Sequence, residues 1–154
     1  MPKHTPIDEA FAERAQQFIK ALPHCVDLGM DIREMSEGHA VMSVPYDERF
    51  IGDPTTGVIH GGVITALLDS CAGAAVLSHP AGKGGTATLD LRIDYMRPAI
   101  PGERIFASAN VYHATRSVAF VRVLAYEDNP EAPIASGTGA FTIGTRSGKN
   151  GEQS

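Results

Sequence analysis

The chain has 154 residues, of which 43% are hydrophobic and 20% are charged, which is typical of one globular domain with its own core. Its 13 Lys and Arg against 18 Asp and Glu give a formal net charge of −5, which repels a phosphate backbone and disfavours nucleic-acid binding. Two cysteines, no signal-peptide pattern and an aspartate inside the most apolar run predict a cytoplasmic protein that does not enter a membrane.

The first predicted element is an amphipathic helix within residues 1–24. Pro6 suits its first position, apolar side chains recur at helical spacing, and Pro23 ends it. We expect one stripe of this helix to be buried by packing. The rest of the chain predicts one domain over residues 25–146, and the polar residues 147–154 predict a disordered tail.

Residues 30–45 alternate as two short strands around a turn. Residues 62–79 differ, because apolar and small side chains cover every side of a helical wheel. A helix that is apolar on all sides must be buried on all sides. One sheet covers only one side of it, so we expect a second copy of the chain to cover the other, as a homodimer that pairs further into a tetramer.

The remaining elements are predicted strands. Residues 86–95 alternate polar and apolar side chains with a period of two, and similar strands follow at about 104–113, 118–127 and 134–143. Short connections between them favour an antiparallel meander. The predicted class is therefore α+β, with one long helix against an antiparallel sheet.

Candidate chemistry is concentrated around the start of the long helix. Gly61 and Gly62 leave N–H groups uncovered at its positive end, which can polarise a carbonyl oxygen, although two glycines can also form only a tight loop. Asp69 lies on the apolar helix, where a carboxylate is costly unless it has a partner or a use. It is a candidate general base, and the structural alternative is a hydrogen bond to a loop or an interface partner.

Other reactive side chains are weaker candidates. His60 stands alone beside the glycines, where a histidine most often braces a loop, and the six histidines are scattered without metal-ligand spacing. Cys71 and Ser70 lack the surroundings of a catalytic nucleophile. We therefore expect no metal and no cofactor.

The segment from Gly57 to Asp69, with His-Gly-Gly and a carboxylate nine residues after the histidine, is followed by a strand that ends in Arg97-Pro98-Ala99. Together these motifs resemble the hotdog-fold acyl-CoA thioesterases of the phenylacetate-pathway (PaaI-like) group. The resemblance spans about residues 30–145. It implies an antiparallel sheet wrapped around a long central helix, and hydrolysis of an acyl-CoA thioester to free acid and CoA.

The resemblance also implies a role for each site residue. Gly61 would donate its N–H to the thioester carbonyl, and His60 would shape the loop. Asp69 would act as general base on water or as nucleophile, and Thr88 would help to position that water. The site would lie across a dimer interface, with the acyl chain between two central helices.

One position departs from the family pattern. Many members carry an asparagine six residues before the histidine, whereas Pro54 stands there in this chain and Asp53 precedes it. Asp53 either replaces that asparagine or the role is absent. The departure supports an alternative function, a non-catalytic acyl-CoA-binding hotdog module. A hotdog hydratase would need an Asp-x-Asn-x-x-His segment, which the chain lacks.

Basic residues between Lys83 and Arg122 exceed acidic ones by three, six against three. This surplus would complement the phosphates of CoA, with Arg97 and Arg116 as candidate contacts. Solvated strand faces explain the same charges equally well.

Overall fold

The computed structural model describes residues 9–82 and 84–144. Within these ranges a six-stranded antiparallel sheet packs against one long helix, which confirms the predicted α+β class. The helices are α1 (Glu9–Lys20), α2 (Pro23–Asp27) and α3 (Gly61–Ser78). The strands are β1 (Asp31–Ser36), β2 (His39–Val44), β3 (Ile51–Asp53), β4 (Val58–Ile59), β5 (Thr88–Tyr95), β6 (Ile105–Ala114), β7 (Val118–Tyr126) and β8 (Ala135–Thr142).

The strand order of the large sheet is β1-β2-β6-β7-β8-β5. Strands β6, β7 and β8 form the predicted meander, but β5 pairs with β8 and not with β6. The expectation that the meander begins at β5 is therefore wrong. Residues 96–104, which connect β5 to β6, are too many for a tight hairpin and contain Pro98 and Pro101, which have no N–H to donate. They carry the chain across the sheet, so β5 lies at an edge.

The N-terminal part contains two helices and not one. Helix α1 ends at Lys20, and Pro23 opens α2, because its fixed φ suits the first position of a helix. Ala15 and Ile19 form the buried stripe that the amphipathic pattern predicts. The predicted start of this helix at Pro6 and the predicted tail lie outside the described residues.

Helix α3 lies along the inner face of the sheet, against β2, β6 and β7. Its fully or nearly buried side chains share that face: Ile64, Leu67, Leu68, Cys71, Ala72, Ala74, Ala75 and Val76. Within one chain the sheet covers only one side of α3, as the sequence analysis expects, and burial of the other side by a second copy stays a prediction. Gly62 and Thr65 are exposed on the other side, and Asp69 and Gly73 are partly buried.

The composition of α3 would also fit a membrane-spanning helix. It has 18 residues and a mean hydropathy of 1.5, so it is long and apolar enough to cross a membrane by those two criteria. However, half of it is buried against the sheet. That packing is typical of the core helix of a globular domain.

Candidate active site

The start of α3 is held by His60. Its ring Nδ1 accepts a hydrogen bond from the Gly62 N–H at 2.8 Å, so the side chain acts as the N-cap of the helix. A Cβ at position 62 would lie 2.9 Å from that same Nδ1, which explains why glycine stands there. His60 thus stabilises the turn. The Gly62 N–H donates to its ring, so this N–H is not free to bind a substrate.

The Gly61 N–H differs from its neighbours. The Val63 N–H donates to the His60 carbonyl at 3.0 Å, while no residue in the described ranges accepts a hydrogen bond from the Gly61 N–H. This donor lies at the N-terminus of an 18-residue helix, where the aligned peptide dipoles concentrate positive charge. Such a group can polarise a carbonyl oxygen or stabilise an oxyanion.

The Gly61 carbonyl faces side chains that the sequence motifs did not single out. The Tyr95 hydroxyl lies 2.8 Å and Thr65 Oγ1 lies 3.2 Å from it, and the two hydroxyls are hydrogen-bonded to each other, so one of them donates to the carbonyl and the other donates to its neighbouring hydroxyl. Tyr95 ends the strictly alternating strand β5. Its pairing with α3 depends on how that strand crosses the helix, which periodicity alone does not reveal.

Asp69 contacts Thr88, the residue to which the resemblance gives a role in positioning water. The Thr88 hydroxyl donates to Asp69 Oδ1 at 2.7 Å, and in the described ranges it is the only hydrogen-bond partner of that carboxylate. Asp69 is partly buried and Thr88 is exposed. One carboxylate oxygen therefore stays available for a water molecule or a substrate.

A cavity of about 330 Å³ opens beside this pair, and we call it the Asp69 cavity. Apolar side chains form most of its wall. They include Phe18, Leu22, Leu77 and Phe141. A carboxylate at the edge of an apolar cavity is a common arrangement in ligand and active sites.

Gly61 and Asp69 do not meet within one chain. They are eight residues apart on the same helix, so a rise of 1.5 Å per residue separates their backbones by about 12 Å. One thioester carbonyl group cannot contact both of them in a single protomer.

Asp53 is the last residue of β3, and its side chain faces the turn to β4, which the sequence analysis did not resolve. Its carboxylate accepts hydrogen bonds from Thr55 N, Thr55 Oγ1 and Thr56 Oγ1 at 3.0, 2.7 and 2.9 Å. These bonds lower the pKa of Asp53 below its ordinary value. The contacts are those of a residue that organises a turn.

Arg97 contacts Glu127. Its Nη1 donates to Glu127 Oε1 at 3.0 Å and its Nη2 to the Ala132 carbonyl at 2.7 Å, while the Ile100 N–H also donates to Glu127 Oε1 at 2.9 Å. Burial opposes ionisation of Glu127, but the hydrogen bonds from Arg97 and Ile100 outweigh it, so the pKa of Glu127 lies below its ordinary value. The Arg97 guanidinium is thus engaged in a structural contact.

Arg116 is exposed on the turn between β6 and β7, and no hydrogen-bond or ion-pair partner for it lies in the described ranges. Its neighbour Ser117 accepts a hydrogen bond from the Ile143 N–H at 2.9 Å. The Gly144 N–H in turn donates to Gly85, which lines the Asp69 cavity. Arg116 therefore lies at the same end of the sheet as Gly85, a residue of the cavity wall.

Cys71 is fully buried against the sheet, where its Sγ contacts the carbonyls of Ala40 and Ala107 at 3.3 and 3.4 Å. Burial raises the pKa of the Cys71 thiol to about 12. A thiol in that state is a poor nucleophile. This agrees with the sequence prediction that Cys71 is a packing residue.

Comparisons with known proteins agree with this fold. A family model for the thioesterase superfamily matches residues 56–134. The medium/long-chain acyl-CoA thioesterase YigI of Escherichia coli is 27% identical over 150 residues, covering 89% of this chain and 96% of YigI.

Two solved structures have a similar backbone. A crystal structure of a Pseudomonas aeruginosa protein is 41% identical, with a TM-score of 0.76 over 85% of this chain and 97% of that one. The Escherichia coli PaaI protein, from the phenylacetic acid degradation operon, shares the fold at 22% identity, with a TM-score of 0.73 over 87% of this chain and 94% of PaaI. The chain therefore belongs to the thioesterase superfamily, as a thioester hydrolase with the hotdog fold.

Proposed function

We propose that this protein hydrolyses an acyl-CoA thioester to a free acid and CoA, with Asp69 as general base or nucleophile. The observation that carries the proposal is the position of Asp69, which has one hydrogen-bonded oxygen and lies at the edge of an apolar cavity. The name of YigI, an acyl-CoA thioesterase, supports the same substrate class.

In the general-base route, Asp69 takes a proton from water as the water oxygen attacks the thioester carbon. The Gly61 N–H donates to the carbonyl oxygen, which becomes negative in the tetrahedral intermediate. The C–S bond then breaks, and the proton on Asp69 goes to the sulfur of CoA. In the nucleophilic route, Asp69 attacks the carbon itself and the C–S bond breaks, so CoA leaves as its thiolate and a mixed anhydride forms. Water then opens the anhydride, which releases the free acid, restores the Asp69 carboxylate and supplies the proton that the thiolate takes up. Thr88 would orient Asp69 or the water in both routes.

We further propose that a second copy of the chain completes the site. Gly61 and Asp69 are about 12 Å apart on one helix, so the Gly61 of one protomer would act with the Asp69 of its partner. The described surface offers a place for this contact. One side of α3 is uncovered, and the edge strand β5 and the residue after it expose the large side chains Leu89, Tyr95 and Met96.

Arg116 is our proposed contact for a CoA phosphate, because it is exposed and lies near the cavity. Arg97 was the other sequence candidate, but its guanidinium already donates to Glu127 and to a carbonyl. The alternative, a non-catalytic acyl-CoA-binding module, rests on the missing family asparagine at Pro54.

The first experiment is release of free thiol from acyl-CoA substrates with aromatic, short, medium and long acyl groups. The proposal expects turnover of at least one of them. Saturable binding of acyl-CoA without release of thiol would support the binding module instead.

A mixing experiment tests the shared site. Gly61→Pro removes the N–H, while proline fits the first position of a helix and the extended His60 before it. Loss of one such donor lowers kcat by about a hundredfold or more. We expect Gly61→Pro and Asp69→Asn homodimers to be nearly inactive, and mixed dimers to recover activity because one of their two sites is intact. No recovery in confirmed mixed dimers would contradict a site shared between protomers.

A further inference from the structure

A second cavity adjoins the Asp69 cavity. It has a volume of about 420 Å³, and its mostly apolar wall also carries polar and charged side chains: Arg14, Ala15, Met35, Ser36, Glu37 and Ser78. We call it the distal cavity. Phe18 and Leu77 line both cavities, so these two side chains form the partition between them.

The partition joins two elements that are far apart in sequence. Phe18 comes from α1 and Leu77 from the last turn of α3, and both side chains are partly buried. Phe18 packs against the hydrophobic core. The amphipathic pattern of α1 predicts such packing but does not indicate that a cavity lies on each side of it.

The volume of the Asp69 cavity gives an approximate length for the acyl chain that lies in front of the partition. With about 30 Å³ for each water-sized group, its 330 Å³ holds roughly ten heavy atoms. If the reacting carbonyl lies at Asp69, the acyl tail extends along the apolar wall toward Phe18 and Leu77. A chain of about eight to ten carbons therefore reaches the partition, and a longer chain needs the distal cavity.

Gly73 supports the same assignment. It lies in the middle of α3, where glycine weakens a helix relative to alanine. A Cβ there would meet only Thr86 Cγ2, at 3.9 Å, so packing within the chain does not require glycine. Gly73 lines the Asp69 cavity one turn beyond Asp69, and its missing side chain leaves room for an acyl group.

We propose that Phe18 and Leu77 set the acyl chain length that this enzyme accepts, by closing the Asp69 cavity against the distal cavity. The proposal rests on the proposed function. It makes medium-chain acyl groups the preferred substrates of the native protein. It also predicts that removing the partition shifts activity toward longer acyl chains and that narrowing the cavity shifts activity toward shorter ones.

The test is kcat/KM for saturated acyl-CoA substrates from about four to about sixteen carbons. Phe18→Ala and Leu77→Ala each join the two cavities, and we expect the ratio of the longest to the medium-chain value to rise about tenfold or more. Gly73→Ala adds a methyl group to the cavity and should lower the medium-chain value about tenfold relative to the shortest substrate. Val26→Ala is the control, because Val26 is an exposed apolar residue of α2 that lines neither cavity.

Each outcome has one meaning once folding is checked by circular dichroism and melting temperature. If the native protein releases no thiol from any substrate, the proposed function fails. If the native protein is active but folded Phe18→Ala keeps the native dependence of kcat/KM on acyl chain length, the role of the partition is overturned and the proposed function stands. Leu77→Ala decides if Phe18→Ala does not fold. If neither variant folds, Gly73→Ala decides, because its methyl group has space in the fold. An unchanged ratio of the medium-chain to the shortest-chain kcat/KM would mean that the acyl group does not occupy the Asp69 cavity, which overturns the partition.

Discussion

Asp69 and Glu127 are two carboxylates of one chain in opposite surroundings. The Glu127 side chain is 4% exposed and accepts hydrogen bonds from both Arg97 and Ile100. Asp69 is partly open and accepts one hydrogen bond, from Thr88. A buried carboxylate with satisfied oxygens holds the structure together, whereas one with a free oxygen beside a cavity is available for chemistry. The number of partners, more than burial alone, separates the two roles.

The sharpest way to break this comparison is Asp69→Asn, which keeps the shape of the side chain and removes the base. We expect kcat to fall about a hundredfold or more, because the reaction loses its proton acceptor or its nucleophile. Thiol release measures the loss, and an unchanged melting temperature shows that the fold survives. Native turnover in a well-folded preparation free of wild-type protein would contradict the assignment of Asp69.

Arg97→Met tests the structural role of Glu127, the other carboxylate of the comparison. It leaves Glu127 buried without its ionic partner, and since Arg97 itself is 33% exposed, we expect a loss of about 2 kcal/mol in the free energy of unfolding. Urea unfolding measures it. KM should change little. A raised KM for acyl-CoA without loss of stability would instead assign Arg97 to phosphate binding.

The pH dependence of stability sharpens the role of Glu127. Because its native pKa is lowered from 4.5, its ionised form stabilises the fold above that pH, and the contribution is lost as pH falls through the native pKa. We expect the native protein to exceed Glu127→Gln in free energy of unfolding near neutral pH. The difference should shrink below pH 4.5, and a difference independent of pH would contradict the ionic contact.

Asp53 is a third carboxylate, with three hydrogen bonds inside its own turn. We expect Asp53→Ala to lower the melting temperature and to reduce kcat less than tenfold. Asp53→Asn keeps one acceptor oxygen for the two bonds from Thr55 but loses the acceptor for Thr56. We therefore expect it to keep kcat and to lower the melting temperature less than Asp53→Ala does. If folded Asp53→Asn loses kcat at an unchanged KM, the carboxylate orients the water, as the sequence prediction allows.

The smallest expected effect concerns Gly73, which lines the Asp69 cavity. Gly73→Ala should raise the free energy of unfolding by about 0.5–1 kcal/mol, because alanine favours the helix and a methyl group has space there. Thermal unfolding measures this gain. A destabilised variant would mean that another surface approaches Gly73, and the partner protomer is the first candidate.

Local patterns predicted much of the fold. The strict alternation of β5, the apolar wheel of α3 and the turn between β1 and β2 are all found, because strand and helix periods follow from short-range sterics and burial. Asp69 was identified in the same way, since a charge on an apolar helix is visible without a structure. The turn of Asp53 and the second helix α2 were not predicted, because short elements leave too few residues to show a period.

What only the tertiary structure decided is which distant side chains meet. Thr88 reaches Asp69 across 19 residues of sequence, and Arg97 reaches Glu127 across 30. Both contacts depend on β5 lying beside β8 at the edge of the sheet, a pairing that alternation within β5 cannot specify. The same holds for the Asp69 cavity, whose wall combines α1, α3 and β8. Sequence periodicity reports which face of an element is buried, but the partner of that face is set by strand order and packing among all elements at once.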